Sequence, residues 1–386
     1  MLSLLLSGNA LIPIFFCLGN IYSFSGNSSI FYGMEKIKEK KGDTSFMIKI
    51  EELIELAKIR SETGYESRIL AYIEEKLEDL GVDFERMPVD EERYNIIVNP
   101  EAKFMVNAHV DTVGDYFPPE VEGTILWGRG VMDDKAGVLI MLKLIEEFLD
   151  RLPISYVFFV DEEEEGKGSK KYAEKYAHEF AVTLEPTNLR VCTAEAGSLE
   201  LEFEFWGTPM HGSCGDEEKS AIWQGIRFLS ELKKMKFLNA EHKLLGKPTI
   251  NVEMFDGGDY ILAVPESAKA LVDFVYLPGQ TAVEIIDEVN RIGRKYNVNH
   301  MIYDLSPPFE ISPRKRRVRE FLKYAELGGF RSWSDAQSLV DKGTPTVVFG
   351  PGELRYAHTK DEHVDMHDVN KAYEILAKVL RDWSRG

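Results

Sequence analysis

Cysteine is nearly missing from this chain of 386 residues, which carries three: Cys17, Cys192 and Cys214. Three thiols cannot build a disulfide framework, and none sits in a C-x-x-C pair. Any metal bound here must therefore be held by His, Asp and Glu. Basic residues are also short, with 46 Lys and Arg against 65 Asp and Glu and a formal net charge of -19. Phosphate binding needs clustered positive charge, so nucleic acid is excluded as a partner. The one dense basic run, Arg314-Lys315-Arg316-Arg317 with Arg319, reads as a solvated helix start. Long apolar runs are missing too. Met1 to Cys17 is apolar but broken by Gly8, Asn9 and Pro13, and it falls short of the ~20 residues that span a bilayer. No Lys or Arg precedes Lys36, whereas a secretory signal opens on positive charge. Residues 1–46 read as an extension, disordered or owed to a start assigned too far upstream, with Met34 or Met47 the better start. What remains reads as a cytoplasmic protein with no membrane partner.

What is present has the balance of a globular enzyme, 44% hydrophobic and 29% charged, and its length suits two domains. Helical periodicity marks Ile50 to Ala57 and Ile69 to Leu80, with Gly81 as the stop. Short, wholly apolar runs recur at Phe104-Met105-Val106, Tyr156 to Val160, Ala181 to Leu184 and Thr346 to Phe349. Strands covered on both faces lose their alternation, so these predict buried central strands. Helical stretches at 137–149 and 169–178 separate them. The pattern predicts an α/β fold, a mostly parallel sheet with helices on both faces. The middle of the chain differs. Leu199 to Phe205 alternates strictly, as a sheet with one wet face does. A helix at 221–232, strands near 249–254 and 269–276, and a helix at 283–292 complete a smaller α+β unit. The expected division is a catalytic domain of 47–196 and 308–386, interrupted by an inserted domain of 197–307.

Acidic and imidazole side chains gather just after the predicted buried strands. His109 and Asp111 follow the first, Glu163 and Glu164 the second, Glu185 the third and His358 the last; Asp133 sits in the loop before a helix. Ligands in open α/β sheets bind at the carboxyl ends of strands. Several buried carboxylates at one such edge call for a multivalent cation. Nitrogen and oxygen donors suit zinc, cobalt or manganese.

The motifs resemble the co-catalytic zinc exopeptidases and deacylases, which include acetylornithine deacetylase, succinyl-diaminopimelate desuccinylase, carboxypeptidase G and peptidase T. They stand here as Asn107-Ala108-His109-Val110-Asp111, Gly128 to Gly137, Asp161 to Gly168, Leu184-Glu185-Pro186-Thr187, Gly207 to Ser213, Trp333-Ser334-Asp335-Ala336 and Ala357-His358-Thr359. The resemblance runs from Ile48 to the C-terminus. It implies two divalent metals, zinc first. His109 and Glu185 would hold one, Glu164 and His358 the other, and Asp133 would bridge. Asp111 would fix the His109 ring, and Glu163 would be the general base. The run Glu162 to Glu165 leaves this register open by one residue. His211, on the inserted domain, would stabilise the oxyanion, in the family often from the partner subunit of a homodimer. The implied reaction is hydrolysis of an amide beside a free carboxylate, in an N-acyl amino acid or short peptide, by a hydroxide between the metals. A carboxypeptidase or dipeptidase is the alternative within the family. A non-catalytic binding protein is the alternative outside it, and would lack a ligand or the base.

The pattern also departs from its relatives. Many carry Arg two residues after the Asp of the strand leading into Pro-Gly, where Val275 stands here. Arg331, Ser334 and Arg355 are the substitute candidates for gripping a small substrate, the arginines through a bidentate contact to its carboxylate. Trp333 is placed to narrow the pocket.

Overall fold

The apolar runs form the strands expected of them. In the computed structural model, which describes residues 47–148, 152–258 and 260–385, Phe104–His109 and Ile154–Phe159 are buried at every position. They pair in parallel, His109 opposite Phe159. Phe180–Thr183 follows on the other side of Phe104–His109, then Thr346–Val348, again in parallel. These four strands are the centre of a nine-stranded sheet. Both flanks include antiparallel pairings: Tyr94–Val98 beside Ile154–Phe159, and Arg190–Glu195 beside Thr346–Val348. The sheet is thus mixed, parallel where it matters for the site. All four central strands end at one edge, and that edge carries the acidic and imidazole residues. The expected extension, 1–46, lies outside the described residues.

Helix Lys135–Phe148 is buried on almost every side. It packs on Phe104–His109 and is itself covered by helices Ile50–Ala57 and Met366–Ser384. Its start is tight. The Asp134 carboxylate accepts the N–H of Gly137 at 3.0 Å, and a Cβ at Gly137 would lie 2.2 Å from that carboxylate. Among the described residues no helix is long and apolar enough to cross a membrane.

A separate four-stranded antiparallel sheet runs Thr249–Gly257, Ser267–Tyr276, Gly197–Trp206, Val298–Ser306. Along Gly197–Trp206, Leu199, Leu201, Phe203 and Phe205 are fully buried, each burial contributing about 2 kcal/mol. They cluster with Phe228 of helix Ala221–Leu232 and with Ile285 and Val289 of helix Ala282–Gly293. The second helix begins in a reciprocal cap between Thr281 and Glu284. Strand Val298–Ser306 was not expected from sequence. Its residues do not alternate, because a bulge between Ile302 and Asp304 breaks the register.

Candidate metal centre

Strand Phe104–His109 delivers His109 to the sheet edge, 1% exposed. Its Nδ1 lies 3.0 Å from the backbone oxygen of Asp111. A carbonyl only accepts, so Nδ1 carries the proton and Nε2 of the neutral ring is left with its lone pair. Nε2 faces the Asp133 carboxylate at 3.1 Å and that of Glu185 at 4.0 Å. The Asp111 carboxylate was expected to orient this ring, but stands 3.6 Å from Nδ1. It also reaches elsewhere. It accepts the N–H of Glu162 at 3.1 Å, the N–H of Glu163 at 3.0 Å and the hydroxyl of Thr63 at 2.9 Å. Asp111 therefore ties the first strand end to the glutamate turn.

In that turn the first two glutamates point inward and the next two do not. Glu162 is buried and the Glu163 side chain is 5% exposed, whereas Glu164 and Glu165 are exposed. The Glu163 carboxylate meets His358 Nε2 at 2.8 Å. Glu162, not Glu163, is left with no hydrogen bond to its carboxylate among the described residues. Glu164 lines the same cleft but joins neither group of converging ligand atoms: His109 with Glu162 and Glu185, and His109 with Asp133 and Glu163. This arrangement has a local cause. Asp161 accepts the N–H of Gly166 on its backbone oxygen at 2.6 Å and that of Lys167 on its carboxylate at 3.0 Å. Arg93 also donates to Asp161, at 2.5 Å. The turn closes tightly enough that only its first two glutamates point inward.

Asp133 lies between the two imidazoles, Oδ1 to His109 and Oδ2 to His358 at 3.5 Å. Glu362 holds its loop, accepting the N–H groups of Met132 and Asp133 at 3.3 and 3.4 Å and pairing with Arg129 at 2.7 Å. His358 itself has a left-handed backbone, φ 61°, a strain on the order of 1 kcal/mol that its surroundings must hold.

Burial and mutual repulsion shift the titration of these groups. Burial, and then neighbouring carboxylates, push Glu162 and Glu185 well above the usual carboxylate range. Glu185 Oε1 is buried without a hydrogen-bond partner. Burial opposes a charge on His109, yet Glu162, Asp111, Asp133 and Glu185 together raise it well above an ordinary histidine. Hydrogen bonds to Asp133 and Glu163 raise His358 to about 10. The converging oxygen and nitrogen donors fit divalent ions.

The remaining candidates are not gathered. His211 is exposed, bonded to its neighbour Ser213 at 2.7 Å, and does not line the cleft. Ser334 is fully buried and donates to Glu195 at 2.5 Å. Arg355 pairs with Glu353 at 2.8 Å, also outside the cleft lining. Arg331 does line the cleft, but its terminal nitrogens donate to the carbonyls of Leu245 and Lys247 at 2.6 and 3.0 Å. Neither arginine is a free carboxylate clamp. Trp333 lines the cleft as expected, and its ring packs on Gly166, which has φ +63° and no room for a Cβ.

Comparison with known proteins agrees with this geometry. Residues 105–382 match the model of Peptidase family M20/M25/M40. A LysW-lysine/LysW-ornithine hydrolase of Saccharolobus solfataricus is 25% identical over 82% of this chain and 90% of its own. An acetylornithine deacetylase of Myxococcus xanthus is 27% identical over 68% of this chain and 73% of its own. Among solved structures, a tripeptidase of Staphylococcus aureus superposes with a TM-score of 0.72 at 21% identity, covering 86% of this chain and 97% of its own.

Proposed function

Since the chain belongs to Peptidase family M20/M25/M40, whose members are metal-dependent amidohydrolases, we propose that it uses two zinc ions to hydrolyse the amide of an N-acyl amino acid or short peptide. The observation that carries this is Asp133, whose two carboxylate oxygens face two different histidines. His109, Asp133 and Glu185 would hold one ion, and Asp133, Glu163 and His358 the other. When bound, such ions polarise a carbonyl and make water acidic near neutral pH. Cobalt and manganese suit the same donors.

Glu162 is the general base in this reading, displacing Glu163 from the role expected of it. It lines the cleft with its carboxylate unbonded, free to take a proton from water and return it to the leaving amine. Asp111 positions it through the N–H groups of the turn. The catalytic part would be 47–196 with 308–386, and 197–307 an inserted unit that covers the cleft and dimerises. Strand Val298–Ser306 favours dimerisation, with Met301, Ile302, Tyr303 and Leu305 exposed at the sheet edge. His211 would then reach the cleft of the partner copy and stabilise the oxyanion there. The relatives named as a hydrolase of lysine and ornithine conjugates and as a deacetylase favour a deacylase over a carboxypeptidase or dipeptidase. A cytoplasmic location accords with the free thiols Cys192 and Cys214.

The test is release of free amine from N-acetyl and N-succinyl amino acids and dipeptides by zinc- or cobalt-loaded protein. We expect turnover that a chelator abolishes and added metal restores. No release from any compound by protein carrying two ions would sink the reading.

A further inference from the structure

The cleft above the metal centre, about 320 Å³, has a second acidic surface that the reaction does not use. It is lined by Glu200, Glu253, Asp273 and Asp304, one from each strand of the four-stranded sheet, beside the ligands Asp133, Glu163, Glu185 and His358. Register places them together: Glu200 pairs with Asp273 on one side and Asp304 on the other, and Glu253 occupies the irregularity between Val252, opposite Val272, and Met254, opposite Leu271. Like charges on adjacent strands destabilise a sheet, and among the described residues none of the four acids has an ion-pair partner. Lys269, the sheet's nearby cation, is engaged by Glu202 and Glu204 at 3.5 and 2.8 Å. Among the described residues the hydrogen-bond partners of the four are hydroxyls, Ser198 to Asp273 at 2.6 Å and Ser306 to Asp304 at 3.3 Å.

Two further observations point to a ligand here. Glu185, at the floor of the same cleft, is 4% exposed and has an oxygen without a partner, so the cleft is built to receive charge. The cleft lining as a whole holds ten carboxylates against one lysine and one arginine. Two divalent ions at the floor would leave it strongly negative still.

We propose that this wall is a specificity surface that selects substrates bearing a positively charged amine or guanidinium near the amide to be cut. The reading rests on the metallohydrolase assignment and names the substrate class of that site. A bare metal ion is the wrong occupant. Among the described residues, the groups whose ligand atoms converge within 4.8 Å are the two at the centre, and the wall forms none. Four spread carboxylates suit a diffuse, mobile organic cation. Burial, then Glu253, Asp273 and Asp304, raise Glu200 to about 7, and burial raises Asp273 to about 6; a bound cation would relieve both. Val275, beside the wall, is apolar and brings no positive charge that would attract an anion.

The experiment compares kcat/KM of the metal-loaded enzyme for Nα-acetyl-lysine, Nα-acetyl-norleucine and Nα-acetyl-glutamate. A free dipeptide set against its N-acetylated form separates a side-chain cation from an α-amine. We expect at least a tenfold preference for a cationic substrate, weakened by salt, as exposed charge contacts are. Glu200→Gln and Asp273→Asn should each cut that preference about fivefold through KM rather than kcat, the worth of one charge contact at close range in water. Glu174→Gln, exposed and outside the cleft, should not. Equal or better turnover of the neutral or anionic substrate overturns the inference and leaves the hydrolase assignment standing. If no compound is hydrolysed, calorimetry with 1,5-diaminopentane against 1,5-pentanediol decides. Binding of the diamine that weakens in Glu200→Gln supports the wall without the assignment, and its absence overturns the wall.

Discussion

The floor and the wall of one cleft both gather carboxylates, and they hold them in opposite ways. At the floor the acids are buried, and several are pinned. Asp111 is locked by three donors, Asp133 lies between two histidines, and Glu362 grips the loop that carries Asp133. On the wall, Glu200 and Asp273 are half-buried, Glu253 and Asp304 are exposed, and among the described residues hydroxyls alone bond to any of them. Metal ions demand ligand atoms placed to within a few tenths of an ångström, which takes a second layer of hydrogen bonds. An organic cation makes no such demand. Order among the supporting contacts therefore separates a coordination site from an electrostatic one, where counting acids would not.

The comparison can be broken first at Asp111. If floor order is what binds metal, Asp111→Asn should weaken metal affinity by about 10- to 100-fold, as loss of an outer partner does elsewhere, measured by competition with a chelating dye. An unchanged affinity would mean that the glutamate turn holds itself. A smaller effect sharpens the wall. Glu200 and Asp273 lose protons near pH 7 and 6, so rising pH adds negative charge and should lower KM for a cationic substrate about fivefold between pH 5.5 and 8. The sign follows from acids that attract a cation only when ionised. KM for a neutral substrate should not follow that curve, and Glu200→Gln should flatten it.

Much of this was legible in the residues. Four apolar runs gave the central strands because burial on both faces leaves no alternation to misread, and the residues after them pointed to His109, Glu185 and His358 as candidates, with Asp133 from the loop before a helix. Strict alternation from Leu199 to Phe205 marked the second sheet. What failed did so for physical reasons. In Glu162 to Glu165 four identical side chains leave composition silent about which point inward; that is decided by Asp161 and Asp111, whose hydrogen bonds reach across the turn and between strands. Strand Val298–Ser306 hid because its bulge breaks the period of two. The arginines failed because a guanidinium near a cleft is no clamp once backbone carbonyls or Glu353 have claimed it. The wall could have been found only through strand register, since its four acids are separated by as many as 104 positions in the chain.

The central claim is that the first two glutamates of the run, and not the next two, do the chemistry. The most direct measurement is metal content and kcat for Glu162→Gln, Glu163→Gln and Glu164→Gln side by side. The structure predicts that Glu162→Gln keeps two ions but loses about 10²- to 10⁴-fold in kcat, that Glu163→Gln loses an ion, and that Glu164→Gln stays within about twofold of wild type, as exposed surface substitutions do. Two retained ions with collapsed kcat in Glu163→Gln, together with a lost ion in Glu164→Gln, would contradict it and restore the other register.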